Sequence, residues 1–190
     1  MSRTGCAGRA APGPAFAALR GVALAAVAAA ALSACASVPR EDAGWISGRL
    51  GLSVAAQDAQ PAQQFSAGFE LRGDGSSGEL RLYTPLGTQI AAAQWAPGHA
   101  TLRRAEGERS FADLDALALD ALGEPVPLAA LPDWLAGRAW GAAPSSANAV
   151  GFEQLGWSVD LSARAEGRIV ARRAAPPAVV LRVQLERNPG

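Results

Sequence analysis

The strongest constraint on the fold of this chain is an alternation of apolar and polar residues with a period of two. It runs through residues 46–54, where Ile, Leu, Val and one Gly occupy every second position, and it returns in residues 65–72 and 179–185. Because successive side chains of a strand point to opposite faces of a sheet, this period indicates strands with one buried and one solvated face. The sequence therefore predicts a domain built mainly from β-strands.

Further strands are predicted between turns rich in Gly, Pro, Asp and Ser. Such turns stand at residues 74–78, 97–98 and 106–107, and residues 144–149 are predicted to form a loop. The predicted strands span residues 46–54, 65–72, 79–83, 88–95, 99–104, 157–162, 168–172 and 179–186. Consecutive short strands joined by tight turns are typical of an antiparallel meander, which can curl into a barrel.

The hydrophobic period changes to that of a helix after Phe111. Apolar residues then repeat with spacings of three and four, between Asp113 as a favourable N-terminal residue and Gly123 as a C-terminal cap. A second, shorter helical stretch is predicted over residues 128–136, broken at Pro132 and closed by a glycine. The predicted fold class is α+β, with the two helices free to cover one opening of the barrel.

The first 35 residues have the composition of an export leader. Three Arg precede an uncharged run over residues 21–32, and no acidic residue occurs before Glu41. A membrane-spanning helix needs about 20 apolar residues, so this run is too short and predicts a leader that is removed. The segment Leu32-Ser33-Ala34-Cys35 resembles the bacterial lipobox, in which small residues precede a Cys that is lipidated before cleavage. Cys35 is therefore expected to become the lipid-bearing first residue.

The cysteine count agrees with a lipidated Cys35. The only other cysteine, Cys6, lies within the leader, so Cys35 has no partner for an internal disulfide. Ala36 follows it where an Asp would signal retention in the inner membrane, and this favours the outer membrane. We expect a lipoprotein signal peptide over residues 1–34, a lipid-anchored tether over residues 35–44 and one domain over residues 45–190.

The charge balance argues against nucleic acid as a partner. All 17 basic residues are Arg, and they are matched by 17 acidic residues. Three of the Arg lie in the leader, which leaves 14 basic against 17 acidic residues in the expected mature chain. A nucleic-acid surface needs clustered positive charge to displace phosphate counterions, so none is expected.

The chain offers few groups for catalysis or metal binding. His99 is the only imidazole and lies in a predicted turn, and there is no G-x-S-x-G motif around a Ser nucleophile. A zinc site needs several His or Cys ligands, and Asp113, Asp115 and Asp120 fit the solvated face of the first helix. The sequence therefore predicts no catalytic residues, no metal site and no cofactor.

Four short motifs behind the lipobox resemble those of the LolB family of outer-membrane lipoprotein receptors. They occur in the family's order and extend over nearly the whole of the expected mature chain. They are Trp45-x-x-Gly48-Arg49-Leu50, Tyr83-Thr84-Pro85-Leu86-Gly87, Leu131-x-x-Trp134-Leu135-x-Gly137 and Gln154-x-Gly156-Trp157. The resemblance implies an unclosed antiparallel β-barrel with a short helical lid over an apolar cavity, and no catalysis.

The resemblance also implies a function and partners. A receptor of this family accepts acylated lipoproteins from the periplasmic carrier LolA, holds their acyl chains in its cavity and inserts the cargo into the outer membrane. The implied partners are a LolA-like carrier, the acylated lipoprotein cargo and the outer-membrane lipid that Cys35 enters. The chain is then expected to be a monomer, anchored on the periplasmic side of the outer membrane.

Apolar residues on the inner faces of the strands and helices are candidates for the acyl cavity. The candidates are Leu50, Leu52, Phe69, Leu82, Ile90, Leu117, Leu131, Trp134 and Leu181. A lipid-binding barrel and a solidly packed barrel have the same alternating faces, so a second interpretation stays open. In that interpretation the chain is a structural outer-membrane lipoprotein whose packed barrel binds a protein partner.

Leu86 is the candidate for contact with the membrane. It stands between two predicted strands, where Pro85 and Gly87 shape a turn that would push an apolar side chain outward. In the family the matching Leu protrudes from this loop and is implicated in putting the cargo into the membrane. The resemblance implies the same role for Leu86.

Overall fold

A computed structural model describes residues 44–58 and 60–186 of the chain. They fall within a compact unit that begins at Gly44. The predicted signal peptide, Cys35 and all but the last residue of the predicted tether lie outside the described residues. No helix in the described ranges combines the length and the apolar character that crossing a bilayer requires.

In the part of the chain that the structure describes, eleven strands form one antiparallel sheet. They are β1 (Ile46–Val54), β2 (Gln63–Gly73), β3 (Gly78–Tyr83), β4 (Gln89–Ala96), β5 (His99–Arg104), β6 (Gly107–Phe111), β7 (Ser145–Asn148), β8 (Gly151–Gln154), β9 (Trp157–Asp160), β10 (Arg168–Arg173) and β11 (Val179–Leu185). All eight predicted strands are present, with ends that agree within two residues. The period of two was therefore sufficient to locate them.

The sheet consists of two meanders joined through β1. The strand order is β6-β5-β4-β3-β2-β1-β11-β10-β9-β8-β7, so the first strand pairs with the last as well as with the second. Gly48 makes the close approach of β1 and β11 possible, because a Cβ atom there would lie 2.3 Å from the carbonyl oxygen of Gln184. In the described residues β6 and β7 form the two edges of the sheet, which confirms the predicted unclosed barrel.

Three short strands, β6, β7 and β8, were not expected from the sequence. β7 occupies residues predicted to form a loop, and all four of its residues are exposed. β6 is likewise exposed except at Phe111. An edge strand pairs on one side only and here buries neither face, so polar residues replace the period of two. The loop predicted over residues 144–149 is therefore wrong.

Helix α1 (Leu114–Leu122) begins and ends where the sequence indicates. The Asp113 carboxylate accepts a 2.8 Å hydrogen bond from the backbone N–H of Ala116, and Gly123 ends the helix with a φ of 69°. Leu114, Leu117 and Ala118 are buried against the sheet. The predicted amphipathic helix is confirmed.

Helix α2 (Leu131–Leu135) follows a 3₁₀ turn over Leu128–Ala130. The second predicted helical stretch is thus present, but the predicted break at Pro132 is wrong. Pro132 lies in the first turn of α2, where the backbone N–H groups have no partner within the helix. The absence of a backbone N–H on this proline therefore costs no hydrogen bond. The proline starts this helix instead of interrupting it.

Candidate functional site

A cavity of about 410 Å³ lies between α1 and the inner face of the sheet. It is partly open, and 17 of the 20 described residues around it are apolar. The apolar residues are Leu50, Leu52, Val54, Phe65, Leu80, Leu82, Ile90, Ala91, Ala93, Leu102, Leu117, Ala121, Leu122, Val126, Leu128, Leu131 and Leu181. The size and the lining are those of a site for an apolar ligand.

Seven of the nine residues expected at the cavity line it. They are Leu50, Leu52, Leu82, Ile90, Leu117, Leu131 and Leu181. They come from four strands, from α1 and from α2, so the curvature of the sheet brings together residues that are far apart in the sequence. The period of two was enough to place the strand residues on the inner face.

Phe69 and Trp134 do not line the cavity. Each is only 2% exposed and belongs to the packed part of the interior. The ring of Trp134 lies 6.4 Å from that of Phe152 and 6.2 Å from that of Trp157, measured between centroids. The assignment of these two side chains to the cavity is therefore corrected, because both belong to the buried core and neither lines the open space.

Several cavity residues were not expected. Ala121 and Leu122 belong to the apolar stripe of α1 that the helical period had already identified, so the signal was present. Val126 lies in the connection between the helices, where no period exists, and Leu128 begins the 3₁₀ turn before α2, within the second predicted helical stretch. The alanines of β4 line the cavity because they are small, which leaves space above them instead of filling it.

Charged residues hold α1 over the sheet. Arg109 of β6 forms a 2.7 Å ion pair with Asp120, and Arg104 of β5 donates a 3.3 Å hydrogen bond to the carbonyl oxygen of Ala121. Just after the helix, Glu124 forms an ion pair with Arg173 of β10, and both side chains are largely buried. The helix is therefore fastened to strands on both sides of the cavity.

Leu86 is the most exposed large apolar residue in the described part of the chain, at 93%. The turn that carries it is well defined: Gly87 donates a 2.9 Å backbone hydrogen bond to Thr84, and Thr84 donates one of 2.9 Å to Thr88. Gly87 has a φ of 83°, which a glycine adopts without strain. Pro85 and Gly87 thus present Leu86 to solvent, as expected from the sequence.

The Leu86 turn stands at the rim of the cavity. Leu82 is the second-last residue of β3, before the turn, and Ile90 is the second residue of β4, after it. Both side chains line the cavity. Ile90 is itself 36% exposed. The protruding turn is therefore joined directly to two strands that line the cavity.

The outer face of β2 and β3 carries an ionic network. Glu79 accepts hydrogen bonds of 2.7 Å from both Arg72 and Arg81, and both guanidinium groups lie within 4.6 Å of the ring centroid of Trp45. Burial raises the pKa of Glu79, but the hydrogen bonds from Arg81 and Arg72 outweigh it and hold this pKa below its ordinary value. The network fixes the start of β1 and takes no part in the cavity.

The side chain of Gln154 links two of the four sequence motifs, the one that contains Trp134 and the one that begins at Gln154. Its Oε1 accepts hydrogen bonds of 2.9 Å from the indole of Trp134 and from the backbone N–H of Trp140. Its Nε2 donates to the carbonyl oxygens of Trp140 and Ala143, at 2.7 and 2.8 Å. The side chain is 3% exposed and fully bonded, so it ties α2 to β8.

His99 begins β5 and is exposed. Across residues 44–58 and 60–186, His, Cys, Asp and Glu side chains nowhere gather in groups of three that could hold a metal ion. The geometry in this part of the chain is that of an apolar binding site.

Comparison with known proteins places the chain in a family. The profile of the family described as outer membrane lipoprotein LolB matches residues 45–188. The outer-membrane lipoprotein LolB of Bordetella pertussis is 43% identical over 142 residues, which cover 67% of this chain and 71% of that relative.

Other relatives carry the same name. The outer-membrane lipoprotein LolB of Bordetella petrii is 37% identical over 158 residues, covering 75% of this chain and 79% of that relative. The one from Dechloromonas aromatica is 30% identical over 148 residues, covering 75% of this chain and 73% of the relative. The chain belongs to the outer-membrane lipoprotein LolB family.

Proposed function

We propose that this protein is a lipid-anchored receptor that accepts acylated lipoproteins from a LolA-like periplasmic carrier and inserts them into the outer membrane. In this proposal residues 1–34 are removed, Cys35 carries the anchoring lipid and residues 35–44 form the tether. The domain over residues 45–190 binds the acyl chains of the cargo. The protein acts as a monomer on the periplasmic side of the outer membrane, without a cofactor and without catalysis.

The observation that carries this proposal is the apolar cavity of about 410 Å³ beneath α1. A barrel that served only as a packed scaffold would fill this space with side chains, since protein interiors are close-packed. The cavity therefore favours a receptor over a structural lipoprotein with a solid core. Membership of the LolB family supports the same function.

The energetics explain why such a cavity is needed. Burying a methylene group gains about 0.8 kcal/mol, so moving an acyl chain of a dozen methylenes through water costs roughly 10 kcal/mol. An apolar cavity replaces the water at each step of the transfer. Delivery then runs downhill if the cavity holds the chain less tightly than the bilayer does.

Leu86 has a separate part in this proposal. An apolar side chain that is almost fully exposed is unfavourable in water and is stabilised by contact with a lipid surface. Since the turn also stands at the rim of the cavity, its insertion brings the opening against the bilayer. Cargo then leaves the cavity directly into the membrane.

The experiment that tests the proposal is a transfer reaction. The mature lipidated protein is reconstituted in phospholipid vesicles and mixed with a periplasmic carrier that holds a labelled acylated lipoprotein. We expect the label to move from the carrier to the vesicles and to float with them. Vesicles without the protein serve as the control.

The result that contradicts the proposal is equally clear. If the label leaves the carrier at the same rate with and without the protein, the protein is not the receptor for that cargo. Binding of an apolar fluorescent probe to the cavity, measured in parallel, then separates a missing carrier contact from a missing lipid site.

A further inference from the structure

Among the described residues that line the cavity, Arg104 is the one that carries a charge. The alternation of β5 places Arg103 on the outer face and Arg104 on the inner face, next to Leu102. The register pairs Arg104 with Ala91, another residue of the cavity wall. A cation therefore stands at the end of an apolar inner row, where β5 reaches the rim.

The neighbours of Arg104 leave most of its hydrogen-bonding capacity unused. Its one hydrogen bond in the described part of the chain goes to the carbonyl oxygen of Ala121, at 3.3 Å. A guanidinium group has five N–H donors. By contrast, Arg103 pairs with Glu108 at 3.2 Å, and Arg109 pairs with Asp120 at 2.7 Å.

No carboxylate of the described residues lies within 4.0 Å of the Arg104 guanidinium group. Arg104 is exposed, so water solvates it when the cavity holds no ligand. An acyl chain that fills the cavity from the rim would carry its oxygen-bearing end to this position. The free N–H donors match a carboxylate or carbonyl oxygen, which only accepts hydrogen bonds.

We propose that Arg104 recognises the oxygen-bearing end of a long-chain acyl ligand and so orients the chain, with its methyl end toward Leu117. The ligand class is an acyl chain that ends in a carboxylate, as in a free fatty acid, or in an ester carbonyl, as in a diacylglyceryl group. This inference rests on the proposed acyl-binding function and adds a specificity-determining residue to it.

The test uses three ligands of equal chain length and the chain from residue 36 onward, which contains the whole compact unit that begins at Gly44. Palmitate offers a carboxylate, methyl palmitate offers an ester carbonyl and hexadecane offers no oxygen. Each ligand displaces an apolar fluorescent probe from the cavity. The variants are Arg104→Gln and its matched control Arg103→Gln, the neighbouring residue on the outer face.

We expect Arg104→Gln to weaken palmitate binding about ten- to hundredfold, because a charge-assisted hydrogen bond is lost. Methyl palmitate should lose about three- to tenfold, since its carbonyl oxygen carries no full charge. Hexadecane should bind unchanged, and Arg103→Gln should alter none of the three. Arg104→Lys keeps the charge and should restore most of the preference for palmitate.

Three outcomes would overturn the inference. Equal weakening of all three ligands by Arg104→Gln would show that Arg104 acts only by holding α1. Unchanged binding of palmitate would show that it does not touch the ligand. If the unsubstituted protein binds none of the ligands, the proposed acyl cavity fails as well, and the first two outcomes leave that cavity intact.

Discussion

The indole Nε1–H of Trp134 donates a 2.9 Å hydrogen bond to Oε1 of Gln154, across the interface between α2 and β8. Both residues are almost fully buried. Gln154 uses both ends of its amide, and its partners lie on α2 and in the segment that follows it. The side chain of Gln154 thus attaches α2 and the segment that follows it to β8 of the sheet.

Replacing Gln154→Leu should lower the free energy of unfolding by about 3 kcal/mol, because it leaves several buried polar groups without partners at about 1–3 kcal/mol each. Urea unfolding measures this change. Gln94→Leu, at an exposed glutamine of β4, is the control and should change stability little. Equal effects of the two substitutions would contradict the structural role of Gln154.

Replacing Leu86→Glu should leave folding and binding of acyl ligands intact while the transfer of cargo into vesicles falls at least tenfold. A carboxylate at this exposed position is well solvated in water but is unfavourable in a bilayer. Transfer from the carrier and insertion are measured separately, as label bound to the receptor and label that floats with vesicles.

Val150→Glu provides the matched control for Leu86, because Val150 is an exposed apolar residue in another turn, between β7 and β8. It should insert cargo normally. Normal insertion by Leu86→Glu as well would remove Leu86 from the mechanism.

Replacing Ala121→Phe should abolish acyl binding or weaken it at least tenfold, because a phenyl ring on α1 would occupy the cavity. Ala116→Phe places the same ring on the exposed face of the same helix and should leave binding unchanged. Displacement of the fluorescent probe measures both variants. If Ala121→Phe binds as well as the unsubstituted protein, the acyl chain lies elsewhere.

Acid should destabilise the protein partly through Glu79. Its pKa is lower in the folded protein than the ordinary value of 4.5, because the hydrogen bonds from Arg81 and Arg72 outweigh burial. Stability from this group is therefore fully present above pH 4.5 and is lost as the pH falls through the lowered pKa.

The Glu79→Gln variant should be less stable than the unsubstituted protein at neutral pH. It should also lose less stability as the pH falls below 4.5. Urea unfolding at a series of pH values measures the two slopes. Glu153→Gln, at an exposed residue of β8, is the control and should keep the original slope. Identical slopes for all three proteins would contradict the role assigned to Glu79.

The local pattern of the chain was sufficient to predict most of the fold. Eight strands, α1 with its caps and the exposed turn at Leu86 follow from spacing and turn chemistry, which depend only on neighbours in the sequence. The short strands β6 and β7 were missed because exposed edge strands carry no hydrophobic period. β8 lies inside the sheet and was missed because it has only four residues, and one of its two buried side chains is the polar Gln154. Pro132 was misread because a proline is compatible with the first turn of a helix as well as with its end.

The sequence by itself determined which side chains face inward and that Leu86 protrudes from its turn. It also determined, through four spaced motifs, the family to which the chain belongs. Only the tertiary structure decided which inward side chains meet a partner: Phe69 and Trp134 are packed within the buried core, whereas Leu50, Leu82 and Ile90 line the cavity. The physical reason is that a period of two fixes the direction of a side chain. The volume in front of it depends on the pairing of β1 with β11 and on where charged residues hold α1, and these contacts join residues far apart in the chain.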